Sequence, residues 1–164
     1  MIAPTELAQR RAVIAEARTW IGTDFHHRAA VKATWDADGN RLTPGGVDCA
    51  TLLAQVYEAA GIIQPLPIPS YPPDWFQHRE GERYLETVME RGREITEAET
   101  LPGDVVMYRF GHSFSHAAIV MPPGWPSIVH AFFASRLVQL DHGDGGVLAD
   151  DHGQPRPRRF FTVW

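Results

Sequence analysis

The feature that most limits what this chain can fold into is a change of texture near residue 95. Before it, apolar residues recur at helical spacing. From Leu101 onward they come in short runs separated by clusters of Gly, Pro and Asp. Helical periodicity followed by strand-length runs predicts an α+β architecture, with helices and sheet in separate layers. The runs are Val105–Tyr108, Ser115–Met121, Ile128–Phe133, Leu137–Leu140 and Phe160–Trp164. Their short links favour antiparallel neighbours, so the expectation is N-terminal helices packed on a C-terminal antiparallel sheet of about five strands. The shift marks a boundary between layers, and residues 1–164 read as one domain.

Three helices are expected ahead of the sheet. Thr5 to Ile21 carries Leu7, Ile14, Ala17 and Ile21 at helical spacing and meets a stop at Gly22. Asp48 to Ala60 has Asp48 as N-cap, Leu52, Leu53, Val56 and Tyr57 on one face, and Gly61 as terminator. After the extended segment Gln64-Pro65-Leu66-Pro67-Ile68-Pro69, a third helix is expected from Pro73-Asp74-Trp75 to about Arg91. Its inward residues would be Trp75, Leu85, Val88 and Met89. Between Thr23 and Val47 the periodicity vanishes, and Asp36-Ala37-Asp38-Gly39-Asn40 and Pro44-Gly45-Gly46 predict a long loop or hairpin. The Asp36–Asn40 stretch has the start of a calcium loop, but its twelfth position is Val47 rather than Glu, so it reads as a plain turn.

The chemistry concentrates on three residues. Cys49 is the sole cysteine, which rules out an internal disulfide or a multi-cysteine metal site. It opens the second helix, where unpaired N–H groups and the positive end of the dipole favour a thiolate. His116 and His130 lie on later apolar segments, Ser115-His116-Ala117-Ala118-Ile119-Val120 and Ile128-Val129-His130-Ala131-Phe132. Alternation puts His116 on the face of Ala118 and Val120, and His130 on that of Ile128 and Phe132. On neighbouring strands the two imidazoles would lie side by side, facing the start of the Cys49 helix. A free cysteine is often just a small buried apolar residue, and strand histidines are often satisfied core groups. Nucleophile, base and orienting group in this order instead point to cysteine-based acyl chemistry.

Asp48-Cys49-Ala50-Thr51-Leu52, Leu101-Pro102-Gly103-Asp104-Val105-Val106, Ser115-His116-Ala117-Ala118-Ile119-Val120 and Ile128-Val129-His130-Ala131 resemble the successive blocks of NlpC-type cysteine peptidases. The resemblance implies a papain-like fold and hydrolysis of peptidoglycan stem peptides, typically at the bond between D-glutamate and the diamino acid. It implies Cys49 as nucleophile, His116 as base, His130 as the third polar residue and Asp48 as a substrate-binding residue. No cofactor is implied. The chain departs from the family pattern where Ala50 and Thr51 stand for the usual Ser-Gly. In Gly22-Thr23-Asp24-Phe25, Phe25 stands where a tyrosine is common. His26 and His27 could supply the missing polar group, although loop histidines are usually just solvated.

A net charge of −5 argues against nucleic acid or an anionic membrane as partner, and no apolar stretch is long enough to cross a bilayer. The N-terminus has no basic segment leading into an apolar core, so synthesis in the cytoplasm without a signal peptide is expected. Tyr71-Pro72-Pro73-Asp74-Trp75-Phe76-Gln77-His78 resembles the phage-tail and gene-transfer-particle subgroup, which would bring the protein to the wall with phage-like tail proteins as partners. Two rival classes remain. One is an inactive tail-assembly module using Trp75 and Phe76 as an interaction surface; the other is an acyltransferase or deamidase on the same scaffold. A metal site from His112, His116 and His130 has no recognised ligand spacing.

Overall fold

The computed structural model describes residues 2–66 and 82–164. Helix α1 spans Pro4–Arg18, with proline in its first turn, where the missing N–H costs nothing. Arg10, Val13 and Ala17 are its buried residues, whereas Leu7, expected inward, is exposed. The reason is an ion pair. Arg10 Nη1 lies 2.9 Å from the buried Asp104 Oδ1 and also donates to Pro102 O, so α1 turns a charged residue toward the sheet. Trp20 follows the helix into the core rather than Ile21, which is only partly buried.

Residues 23–47 form a nested pair of ribbons rather than a loop. Strands β1 (Ala30–Val31) and β4 (Gly46–Val47) pair antiparallel, and β2 (Thr34–Trp35) and β3 (Arg41–Thr43) form the hairpin between them. Asp36 closes the hairpin tip by accepting from the Asp38 and Asn40 N–H groups, a plain Asx-type turn as expected.

Helix α2 (Cys49–Ala59) begins where expected, with Asp48 as N-cap and Thr51 completing the capping box. The third helix, α3, is described over Arg83–Arg91. Its Leu85 is buried and Val88 partly so, but Met89 is exposed, so only part of the expected inward set points inward. The expected start at Pro73–Trp75, the Trp75/Phe76 surface and the stretch resembling tail proteins lie outside the described residues.

Among the described residues the sheet has six strands, where about five were expected, all antiparallel: β5 (Arg93–Ile95), β10 (Arg158–Thr162), β6 (Val105–Phe110), β7 (Ser113–Val120), β8 (Ser127–Phe132) and β9 (Leu137–His142), in that spatial order. One face, with Met107, Ala117, Ile119, Val129 and Ala131, buries Val13 and Ala17 of α1 and Leu52, Leu53 and Val56 of α2. The other face holds Val106, Tyr108, Ala118, Val120, Ile128, Phe132 and Phe160 in a second cluster capped by Leu148. This is the α+β layering the sequence predicts. Among the described residues no helix is long and apolar enough to cross a membrane.

Candidate active site

Strands β7 and β8 pair at Ile119–Val129 and Val120–Ile128, and there the recorded pairing stops. Toward Ser115 the two strands part. Their edge groups need partners, because a buried peptide group left unpaired is costly. The N-terminus of α2 fills the opening. Cys49 Sγ donates to Ser115 O at 3.7 Å, and the N–H of Ala117 points at the sulfur. The thiol therefore occupies the β7 edge at the two residues that flank His116.

The imidazoles meet across the same gap. His116 Nε2 and His130 Nδ1 are 3.0 Å apart, with ring centroids at 5.1 Å. Both rings belong to the face predicted by alternation, but that face looks away from the helical layer. Ala117 and Ile119, not His116, point into the helix-packed core. The expectation that the rings face the α2 start is corrected accordingly: Cys49 reaches β7 through its edge. Tyr108, Phe110 and Phe132 surround His116, and Phe132 stacks on His130 with planes 7° apart.

This wrapping decides the protonation states. Burial holds His116 well below the usual imidazole range, with the neighbouring His130 adding to the effect. Burial also takes His130 down to about 4, against the opposing influence of Asp141. The Cys49 thiol is pushed up to about 12 by burial first and by the Asp48 carboxylate second. The N–H groups of Ala117, Cys49 and Ala50 act in the ionising direction and are outweighed. At the helix start, desolvation therefore opposes the ionisation that the helix terminus favours. Thiol and imidazoles are neutral, and among the described residues no hydrogen bond joins Cys49 directly to His116.

Asp48 is buried with both oxygens occupied. Oδ1 accepts from Ala50 N, Thr51 N and Thr51 Oγ1, while Oδ2 accepts from Arg28 N and lies 3.5 Å from His27 Nδ1. It ties the 26–28 turn to the start of α2. Phe25 packs edge-on against the exposed Phe133, His26 is exposed and His27 half-buried. His112 sits exposed in the β6–β7 turn, away from the buried pair, and among the described residues no three His, Cys, Asp or Glu side chains are arranged to hold a metal ion.

Two contacts escape sequence reasoning. Tyr84 Oη of α3 donates to Cys49 O at 3.1 Å, bracing the first turn of α2. Asp141 Oδ2, on β9, lies 3.5 Å from His130 Nε2.

No family model and no curated protein matches the chain. Solved structures do. The peptidoglycan hydrolase RipB from Mycobacterium tuberculosis superposes with a TM-score of 0.58 at 16% identity, covering 98% of this chain and 68% of that one. RipD from the same organism, described as a non-catalytic NlpC/p60 domain protein adapted to peptidoglycan binding, gives 0.55 at 14% identity, covering 95% and 98%. NlpC2 from Trichomonas vaginalis gives 0.59 at 16% identity, covering 96% of this chain and 47% of that one. This chain has the NlpC/p60 fold. Within that fold, the start of the Cys49 helix meets the β7 edge beside His116, and His116 meets His130 of β8.

Proposed function

We propose that the protein is a cysteine hydrolase of bacterial peptidoglycan stem peptides, with Cys49 as nucleophile, His116 as base and His130 as orienting group. One observation carries the reading: the sole thiol sits on the β7 backbone on either side of His116, whose Nε2 is engaged by His130. That leaves His116 Nδ1 as the ring nitrogen available to the thiol. The neutral resting pair favours proton transfer concerted with attack over a preformed ion pair. As Sγ adds to the scissile carbonyl, its proton passes to Nδ1. The same proton then leaves with the departing amine, giving a thioester. Water, deprotonated by the same nitrogen, releases the acid and restores the thiol. The N–H of Cys49 supplies part of the oxyanion hole, since those of Ala50 and Thr51 are taken by Asp48. The bond proposed is that between D-glutamate and the diamino acid, with Asp48 holding the site together and contributing to stem-peptide binding. Delivery within a phage-like particle, alongside tail proteins, belongs to the same proposal and rests on the sequence around Tyr71–His78 alone.

A second reading has its own support. The thiol is held far from ionisation, and one structural neighbour is described as non-catalytic and adapted to peptidoglycan binding. A wall-binding module would retain affinity without turnover. Incubation with defined muropeptides, products identified by mass spectrometry, separates the two. Hydrolysis abolished by Cys49→Ser supports the enzyme. Binding without products, unchanged by Cys49→Ser, supports the module. Transfer to an added amine in place of hydrolysis would move the assignment to an acyltransferase.

A further inference from the structure

The histidine pair is ambiguous by itself. At 3.0 Å, either His116 Nε2–H donates to His130 Nδ1 or the proton lies on His130 Nδ1 and the direction reverses. In the first arrangement His116 Nδ1 carries a lone pair and can take a proton. In the second it carries a hydrogen and cannot. Something outside the pair must choose.

Asp141 lies where that choice is made. In the β8–β9 ladder Asp141 pairs with Ile128 and Gln139 with His130, so Asp141 is the diagonal same-face neighbour of His130. His130 is fully buried and its Nε2 lacks a hydrogen-bond partner, yet that nitrogen is 3.5 Å from Asp141 Oδ2. The carboxylate is itself anchored: Gln139 Nε2 donates to Oδ2 and His142 N to Oδ1, both at 2.8 Å. Stacking on Phe132 restrains the His130 ring. A carboxylate only accepts. A proton on His130 Nε2 meets it favourably, whereas a lone pair there would face a negative charge.

We infer that Asp141 is a fourth, positioning residue of the site, fixing the tautomer of His116 through His130. With Nε2 of His130 protonated toward Asp141, Nδ1 of His130 accepts from His116 Nε2–H, and His116 Nδ1 is left as the proton acceptor. Asp141 touches no substrate in this role and acts only through the ring between.

The inference rests on the hydrolase reading, but ring-nitrogen NMR of the histidines near pH 7 decides it without substrate. Both rings of the wild type are expected as single Nε2–H tautomers. Asp141→Ala should give His116 as a mixture of tautomers. If stem peptides are hydrolysed, kcat should fall about tenfold with KM little changed, as expected for loss of one charge-assisted contact. Asp141→Asn, which keeps an acceptor oxygen, should restore most of both signals. In a His130→Asn background Asp141→Ala should have no further effect on kcat. Nδ1–H tautomers in the wild type, or an Asp141→Ala protein with unaltered His116 signals, would overturn the inference, and the wild-type spectrum needs no variant to fold. Absence of any hydrolysis would sink the hydrolase reading while leaving the tautomer result intact.

Discussion

The buried imidazole pair makes acid the natural perturbation. A histidine whose folded pKa lies below its unfolded value binds a proton in the unfolded chain first, so stability is lost as pH falls from 6.5 toward the folded value. His130 falls to about 4, and His116 lies well below its ordinary value. Between those limits each contributes a slope of about 1.4 kcal/mol per pH unit. Allowing for partial titration of the unfolded chain at the upper end, His130 accounts for roughly 2 kcal/mol between about pH 7 and pH 5, and His116 acts in the same direction. The carboxylates with depressed values, Asp36, Glu94, Glu99 and Asp150, act in a different window. Their stabilisation is present above their unfolded values and is lost only as pH falls through still lower folded values. Asp141, the acidic group facing His130, is too weak an opponent to hold that ring charged. Urea unfolding followed by tryptophan fluorescence at several pH values measures the slope directly. His130→Gln should make the loss between pH 7 and pH 5 clearly smaller. A stability that is flat across this range, or a His130→Gln protein with the wild-type slope, would refute the claim that the rings are buried neutral.

Three other outcomes follow from particular contacts. Asp104→Ala removes the buried partner of Arg10, leaving Glu6 as the remaining carboxylate, and frees the N–H of Leu101; chemical denaturation should show a loss of about 1–3 kcal/mol. Gly45→Ala puts a Cβ against the backbone of Val31, Lys32 and Ala33 at a φ of 63°, so the β1–β4 ribbon must shift; a cost of about 1–3 kcal/mol, read by thermal unfolding, is expected. Tyr84→Phe removes the hydroxyl that braces Cys49 O, and chemical denaturation should show a loss of about 1 kcal/mol, the contribution of one hydrogen bond; if stem peptides are hydrolysed, turnover should fall severalfold as well.

Local signals carried much of this architecture. Asp48 caps α2 because its carboxylate reaches the N–H groups of Ala50 and Thr51, which is chemistry confined to four residues and readable from them. Alternation placed His116 and His130 on one face for the same reason. What stayed hidden depends on distant partners. Arg10 faces the core only because Asp104 waits there, so a hydrophobic count favoured Leu7. Arg93–Ile95 has one buried residue and no alternation to mark it, and pairing with the C-terminal strand makes it a strand. Asp141 meets His130 through the register of a hairpin, which the sequence does not spell out. The burial that opposes ionisation of the thiol was likewise hidden, because the helix start is visible in sequence and the depth of burial is not.

The parting of β7 from β8 bears on which inactive forms of this protein could exist. Cys49 Sγ stands where the neighbouring strand would otherwise satisfy Ser115 O and direct Ala117 N–H, so the atom proposed as nucleophile is also a stand-in for main chain. Serine keeps a donor and acceptor at that point; alanine leaves two sheltered peptide groups facing a void. Cys49→Ser is therefore the better silent control, and Cys49→Ala carries a structural penalty that an activity assay alone would mistake for chemistry.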